Sequence, residues 1–122
     1  MIKYYKLNGK VAVACHSLLE WAEWFETAER RVASEDIAGI WISTVFLGLD
    51  HNYSSKGDPL LFETMTFSPE GEANQMRRYF TWEEAEQGHK QVADLVRAEA
   101  MEADLDAADV ISQVMLKMSY GK

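Results

Sequence analysis

Cysteine, basic residues and long apolar runs are all scarce in this chain of 122 residues. The single cysteine, Cys15, excludes an internal disulfide and a zinc site built from several cysteines, and it is typical of a reducing compartment. Twelve basic residues against twenty acidic ones give a net charge of −8, which argues against duplex DNA as a partner, because duplex binding needs a basic surface. No apolar run approaches the roughly 18 residues of a membrane span, and the first residues lack a signal-peptide pattern.

Sequence motifs for catalysis are missing as well. The chain contains no Gly-rich phosphate loop, no G-x-S-x-G elbow and no CxxC pair, which favours a protein without enzymatic activity and without a cofactor. No repeat or Pro/Gly/Ser-rich linker divides the chain, so we expect a single domain over residues 1–122. A hydrophobic content of 48%, with four Trp, five Tyr and five Phe, is enough to build a core without disulfides.

The first thirty residues predict a hairpin and a helix. Asn8-Gly9 lies between two short extended runs in residues 1–15, and this dipeptide is the strongest short-range hairpin signal. Ser17 and Glu20 have the spacing of a capping box at the start of a helix over residues 17–29. Trp21 and Phe25 lie on one apolar stripe of that helix, and we expect them to dock it on a sheet.

Residues 31–80 predict antiparallel strands, beginning with a short extended run at residues 31–33. The clearest strand spans residues 40–49 and is apolar on both alternating faces, so we expect it to be covered on both sides or to lie at an interface. Residues 60–67 and 76–80 complete a three-strand meander. Strands joined by short connections pair antiparallel, and helices on one face give a two-layer α+β fold in which an N-terminal hairpin precedes the meander.

Two helices are predicted to follow, over residues 82–103 and 106–118. We place a break near residues 104–106, because Asp106 is a good N-cap residue. Gly88 lies inside the first of these helices and costs it about 1 kcal/mol relative to alanine, which indicates that another group approaches the backbone there. The second helix carries an apolar stripe, and exposed apolar patches of this kind favour a homo-oligomer, most simply a dimer. The stripe consists of Val110, Ile111, Val114, Met115 and Met118.

Arginines supply the candidate ligand-binding groups. Two adjacent pairs, Arg30-Arg31 and Arg77-Arg78, stand at strand entries, where neighbouring residues face opposite sides of a sheet. Guanidinium groups bind phosphate through two hydrogen bonds, so these residues favour a nucleotide-like ligand. The predicted ligand-binding residues are Arg31, Arg78, His51 and Tyr53. The alternative is that the arginines pair with the abundant glutamates.

A metal or acid/base site is a weaker alternative. Asp50, His51, Glu63 and His89 combine oxygen and nitrogen ligands that could hold a metal or form a base with its orienting acid. Their spacing fits no metal motif, and His89 falls on an apolar stripe where a hydrogen-bonded core histidine is the commoner arrangement. We therefore predict no metal site.

Acidic residues dominate the C-terminal third. Residues 83–109 contain nine acidic and two basic residues. This composition usually marks a solvated helix face, but it also suits mimicry of nucleic-acid charge toward a basic partner protein.

Three sequence blocks resemble a family. They are S-T-V-F-L-G-L-D-H at residues 43–51, P-L-L-F-E-T-M at residues 59–65 and R-Y-F-T-W-E-E-A-E-Q-G-H at residues 78–89. Together they resemble a group of small proteins encoded by bacteriophages and prophages, over roughly residues 20–97. The loop at residues 52–58 is longer here than in that pattern. The resemblance implies expression in the cytoplasm of a host bacterium and implies no particular activity.

The leading hypothesis is a non-enzymatic phage accessory protein that acts in the host cytosol, in counter-defence, by binding a small phosphate-bearing ligand. The first alternative is an acidic inhibitor that binds a host protein. The second alternative is a metal-dependent or acid/base hydrolase that uses Asp50, His51, Glu63 and His89.

Overall fold

The computed structural model describes residues 4–54 and 56–120, so residues 1–3 of the predicted hairpin lie outside the described part. The elements in chain order are β1 (Tyr4–Asn8), β2 (Val11–Cys15), α1 (Leu18–Thr27), β3 (Arg31–Ile37), β4 (Ile40–Phe46), β5 (Phe62–Phe67), β6 (Ala73–Tyr79) and α2 (Trp82–Tyr120). Strands β1 and β2 form a hairpin, and β3-β4-β5-β6 form an antiparallel meander. The predicted two-layer α+β class is confirmed. Neither described helix combines the length and apolar composition needed to cross a bilayer.

Helix α1 forms where its capping box predicts, since the Ser17 hydroxyl accepts a hydrogen bond from the Glu20 amide at 3.2 Å. Its docking differs from the prediction. Trp21 and Phe25 are only half-buried, and the Trp21 indole donates to the Tyr5 carbonyl at 3.0 Å. Both rings also lie against Gly48, where a Cβ atom would come within 3.3 Å of them. The helix is therefore docked on the hairpin and on the Gly48 backbone, at the end of the meander sheet.

The meander sheet has one strand more than predicted. Strand β3 continues the short extended run at residue 31 as far as Ile37 and pairs antiparallel with β4. Its polar stretch of Ser34, Glu35 and Asp36 conceals it in the sequence, because an edge strand can keep polar side chains in contact with water. Ala38 and Gly39, both with positive φ, form the turn that joins β3 to β4.

Helix α2 packs on one face of this sheet, called here the inner face. Ile42 packs against Val92 and Ala93 of the helix. Phe46 and Phe62 lie in a second cluster with Ala85, to which the hairpin and α1 add partly buried side chains. The core therefore lies between the inner face and the first four turns of α2.

The predicted break near residues 104–106 is wrong, because α2 runs without interruption through 39 residues. Alanine, glutamate, leucine and methionine favour helix throughout this stretch, and the exposed Asp106 side chain caps nothing. A helix of this length spans about 58 Å, whereas a seven-residue strand spans only about 23 Å. Every residue from Met101 to Ser119 is exposed. This segment, which extends past the sheet, is called the overhang.

The close approach predicted at Gly88 is present. A Cβ atom built on Gly88 would lie 2.1 Å from a ring carbon of Tyr79, whose side chain is buried under the helix. The glycine therefore allows α2 to lie directly on the tyrosine ring, and this contact sets the distance between the helix and β6.

We expect Gly88→Ala to destabilise the protein, although alanine is the better helix former. The helix-propensity gain is about 1 kcal/mol, and overpacking a core contact costs about 1 to 3 kcal/mol. Urea unfolding followed by circular dichroism measures the difference. The exposed neighbouring variant Gln87→Ala is the matched control and should leave the midpoint nearly unchanged. A midpoint for Gly88→Ala at or above that of the parent chain would contradict the packing described here.

Candidate functional site

The second side of the meander sheet, called the outer face, carries the side chains that point away from α2. Within the described part of the chain, α2 is the helix that packs on this sheet, and it lies on the inner face. The central strand was expected to be covered on both sides or to lie at an interface; α2 covers one side, and an interface on the other side stays a prediction. The register of the strands assigns the outer face to Arg31, Ser34, Asp36, Trp41, Ser43, Val45, Glu63, Met65, Phe67, Ala73, Gln75 and Arg78.

An aromatic pair lies at one end of the outer face. Trp41 and Phe67 are direct cross-strand partners, and their rings stack with centroids 4.8 Å apart. The Trp41 indole nitrogen donates to the Ser34 hydroxyl at 2.8 Å, which fixes the orientation of the ring. Trp41 is 37% exposed. The pair therefore presents a fixed aromatic surface to solvent.

The two predicted arginines share one row of the outer face. Arg31 pairs with Val45, Val45 with Glu63, and Glu63 with Arg78, so the row crosses all four strands. Three strand spacings separate Arg31 from Arg78, which is about 14 Å. The Arg78 Nε atom donates to the Glu63 carboxylate at 2.9 Å. For Arg78, the alternative that arginines pair with glutamates is therefore what the structure shows.

Arg31 differs from the other arginines of the two pairs. Its guanidinium lies 5.8 Å from the Trp41 ring centroid and forms no ion pair within the described residues. Arg30 instead donates to the Phe46 carbonyl at 2.8 Å and lies over the Phe25 ring, and burial lowers its pKa. Arg77 donates to Gln91 on α2. Arg31 is thus the arginine of these four that is available to bind an anion.

The other two predicted ligand residues, His51 and Tyr53, lie in the loop between β4 and β5. Their rings are 6.2 Å apart, and Tyr53 is 83% exposed. His51 Nδ1 lies 2.9 Å from the Leu49 carbonyl, and a carbonyl only accepts, so Nδ1 carries the proton. Asp50 holds the loop by accepting from the Asn52 and Leu60 amides. The loop leaves the sheet at the end where the arginine row lies, so the four predicted residues share one end of the sheet.

The alternative metal or acid/base site is not assembled. His89 projects from α2 onto the inner face, whereas Glu63 points to the outer face and binds Arg78. The sheet therefore separates these two groups, and Asp50 is engaged by loop amides. Across residues 4–54 and 56–120, the structure brings together no group of three His, Cys, Asp or Glu residues that could hold a metal ion. The hydrolase hypothesis loses the constellation on which it was based.

A buried chain of hydrogen bonds explains His89. Thr64 Oγ1 lies 3.1 Å from the Tyr79 hydroxyl and 2.6 Å from Thr44 Oγ1, and Thr44 Oγ1 lies 2.7 Å from His89 Nδ1. His89 Nε2 then lies 2.9 Å from a Glu35 oxygen. The histidine is 4% exposed, so it is the hydrogen-bonded core histidine expected from its apolar stripe. The two threonines of this hydrogen-bond chain were not identified from the sequence, because their contact depends on the register of β4 with β5.

With a neutral imidazole ring, one set of proton positions gives every group of this chain a partner. Tyr79 donates to Thr64, Thr64 to Thr44, and Thr44 to His89 Nδ1, while His89 Nε2–H donates to Glu35. In this arrangement each hydroxyl donates once and the Glu35 carboxylate only accepts. Arg97 also donates to Glu35, at 2.8 Å, which neutralises the carboxylate at the edge of the helix. This chain of hydrogen bonds fixes α2 on the sheet, and it contains no group that is free to take part in a reaction.

A separate cavity of about 330 Å³ opens between the hairpin and the start of α2. Aromatic side chains form much of its wall: Tyr5, Phe62, Phe80 and Trp82. The Trp82 indole N–H is buried and has no acceptor within the described residues. Lys10 lies over the Trp82 ring and 3.9 Å from Glu86, while Asp58 and Glu83 add negative charge to the wall. The cavity suits an apolar molecule better than an anion.

Comparison of the chain with models of protein families, with curated proteins and with solved structures finds no match.

We expect Thr44→Val to destabilise the protein, because it leaves His89 Nδ1 without a partner and removes the acceptor of the Thr64 hydroxyl proton inside the core. An unsatisfied buried polar group costs about 1 to 3 kcal/mol. Thermal or urea unfolding checks this value. Ser43→Ala is the control, since Ser43 is the neighbouring buried residue on the outer face and forms no side-chain hydrogen bond within the described part of the chain. Equal unfolding midpoints for the two variants would show that this hydrogen-bond chain contributes nothing to stability.

Proposed function

We propose that the protein binds a small, planar, phosphate-bearing molecule of the nucleotide type on its outer face and sequesters it without altering it. The observation that carries this proposal is the Arg31 guanidinium, which lies 5.8 Å from the exposed Trp41 ring and has no carboxylate partner within the described residues. An aromatic ring supplies a stacking surface for a base. A guanidinium supplies two donors for a phosphate.

The charge of the chain favours a small ligand over a nucleic-acid strand. Sheets that present aromatic side chains on an open face are a recognised way of stacking bases. A strand of many nucleotides would have to cross a surface whose net charge is −8, and it would lose the electrostatic attraction that drives such binding. A molecule with one or two phosphates needs only the local positive charge of Arg31. Arg78, already neutralised by Glu63, adds hydrogen-bonding capacity and no net charge.

The outer face is favoured over the hairpin cavity for the same reason. The cation of that cavity, Lys10, lies near Glu86, and two further acidic residues line the wall. A phosphate placed there would be repelled. His51 and Tyr53 lie in the loop at the arginine end of the sheet, and in this proposal they close over the phosphate side of the ligand.

The biological setting of the proposal comes from the three sequence blocks that resemble phage and prophage proteins. They support an accessory protein that acts in the cytoplasm of an infected bacterium. Removal of a nucleotide signal from that cytoplasm would serve counter-defence. Binding without turnover is supported by the separation of Glu63 from His89, since these were the residues on which a hydrolase was based.

Titration calorimetry with adenosine diphosphate tests the site. Loss of a charge-assisted hydrogen bond costs about 1.5 to 3 kcal/mol, so Arg31→Gln should weaken binding by about tenfold or more. Trp41→Ala should weaken binding of adenosine diphosphate and leave binding of inorganic pyrophosphate, which has no base, nearly unchanged. Lys10→Gln, in the hairpin cavity, is the control and should bind like the parent chain.

Two results would contradict the proposal. One is an absence of heat with adenosine diphosphate, or equal affinities for the parent chain and Arg31→Gln. The other is chemical conversion of the bound nucleotide, which chromatography of the ligand recovered after denaturation would reveal.

A second function is supported by a different observation. Four acidic side chains recur every three or four residues on one side of α2, at the start of and along the exposed overhang: Glu99, Glu102, Asp106 and Asp109. We propose as the alternative that this acidic side binds a basic host protein. A host protein retained from lysate at low salt should then be lost with Glu102→Gln/Asp109→Asn, and retention by that variant would contradict it.

A further inference from the structure

The apolar stripe with which α2 covers the sheet continues far beyond the sheet. Buried or half-buried side chains recur every three or four residues along the covered part of the helix: Ala85, His89, Val92, Val96 and Ala100. The same spacing then continues along the overhang through Ala103, Ala107, Ile111, Val114 and Met118. These five residues are exposed, although they lie on the same side of α2 that packs on the sheet in the first four turns of the helix. The overhang thus presents a contact face of about four helical turns with no contact in the described part of the chain.

A groove lies beside the start of the overhang. Its volume is about 730 Å³, and it opens between α2 and the end of the sheet at the β3–β4 turn. The residues that line it include Ile40, Met76, Leu95, Ala100 and Ala103. Met76 and Leu95 are both more than 40% exposed. The groove and the contact face of the overhang form one continuous apolar surface.

We propose that this surface is covered by a second copy of the chain, with the two overhangs packed antiparallel about a two-fold axis near residue 109. The sizes of the side chains support this direction. The half of the contact face nearer the sheet is built from alanines, and the far half from larger residues. Antiparallel pairing places Ala107 opposite Ile111 and Ala100 opposite Met118, so that small side chains meet large ones along the whole contact.

The same register accounts for the groove. Ala100 forms part of the groove wall, so the Met118 side chain of the second copy lies at its mouth. A parallel pair would instead place alanine against alanine near the sheet, leave the groove empty and crowd the larger residues at the far end. Because the pairing is two-fold symmetric, both grooves are filled in the same way.

The charges on the flanks of the stripe support the same direction. Glu99 and Lys117 are separated by 18 residues, which is five helical turns, so they lie on the same side of α2. When two such helices pack antiparallel, the flank that carries Glu99 and Lys117 in one copy faces the same flank of the other copy. This brings Lys117 of each copy beside Glu99 of the other. In a parallel pair opposite flanks face each other, and Glu99 would meet Asp104 of the second copy. Antiparallel pairing therefore exchanges two repulsive contacts for two attractive ones.

The interface and the proposed ligand site lie on opposite faces of the sheet. The groove is lined by Ile40 and Thr66 of the inner face and by α2, whereas Arg31 and Trp41 lie on the outer face. Self-association and ligand binding are therefore independent, and either proposal can fail while the other holds.

Sedimentation or light scattering of the full chain at micromolar concentration tests the association. We expect twice the chain mass of 13.9 kDa. Val114→Glu places a charge in the contact face and should raise the dissociation constant by about 100-fold or more. Gln113→Glu, one residue away on the polar side, is the matched control and should leave it unchanged. Both positions are exposed in the single chain, so circular dichroism should show the same helix content in both variants.

The orientation has its own test. In the antiparallel pair, Glu99→Lys and Lys117→Glu should each weaken association by about two- to tenfold, and the double variant Glu99→Lys/Lys117→Glu should restore it. In a parallel pair, Glu99→Lys would instead strengthen association through Asp104. A mass of 13.9 kDa that does not change with concentration overturns the proposal. So does a dimer that is indifferent to Val114→Glu, or one that Glu99→Lys tightens.

Discussion

His89 joins helix α2 to the sheet through both of its ring nitrogens, one bonded to Thr44 on β4 and the other to Glu35 on β3. Apolar contacts such as those of Val92 and Ala93 have no preferred direction and would tolerate a helix displaced by a fraction of a turn. A buried histidine with two fixed partners would not, because a displacement would leave a polar atom unpaired in the core. This side chain therefore sets the rotation and the position of α2 along the sheet. The route of the helix past the β3–β4 turn, and with it the exposure of the overhang, depends on that setting.

The sheet keeps the buried hydrogen-bond chain chemically separate from the proposed ligand-binding face. Its inner face is used up by α2, and its polar groups are paired with one another along the chain from Tyr79 to Glu35. Its outer face keeps an exposed tryptophan and an arginine that no carboxylate within the described residues neutralises. Because side chains of a strand alternate between the faces, Thr64 can complete the buried chain while its neighbour Glu63 serves the outer face. Strand β5 thus contributes to both faces of the sheet without coupling them.

Local signals in the sequence were sufficient for much of this fold. Gly9 begins the first turn with a positive φ, directly after Asn8, and Ser17 caps α1, each for a reason that a few neighbouring residues contain. Gly88 marks the place where the Tyr79 ring meets α2. Errors arose where one local signal was outweighed by the residues around it or by the position of a strand in the sheet. Asp106 has the chemistry of a helix cap, but the helix formers on both sides carry α2 past it. Strand β3 extends beyond its predicted end, because its polar residues suit an edge position that the sequence alone does not reveal.

The candidate site, like the fold, could be predicted from the sequence only in part. The sequence offers the arginines as candidate ligand-binding groups, but it does not give their partners, because these follow from strand register. The pairing of Arg78 with Glu63, and of Thr44 with Thr64, requires knowing which residues of adjacent strands lie opposite each other. Strand alternation rejects one grouping once the face covered by α2 is known. Glu63 points away from that face, so His89 on α2 cannot share a metal with it.

The order of the elements has a consequence for synthesis of the chain on the ribosome. All four meander strands precede α2, so the inner face is complete once residue 79 has been made and is covered only when residues up to 96 follow. At about 5 to 20 residues per second, this leaves an apolar sheet uncovered for roughly one to three seconds. During that interval both edges could recruit a strand from another nascent chain. Each edge strand, β3 and β6, carries a bulge and several polar side chains, and these features disfavour such pairing while the helix is still being made.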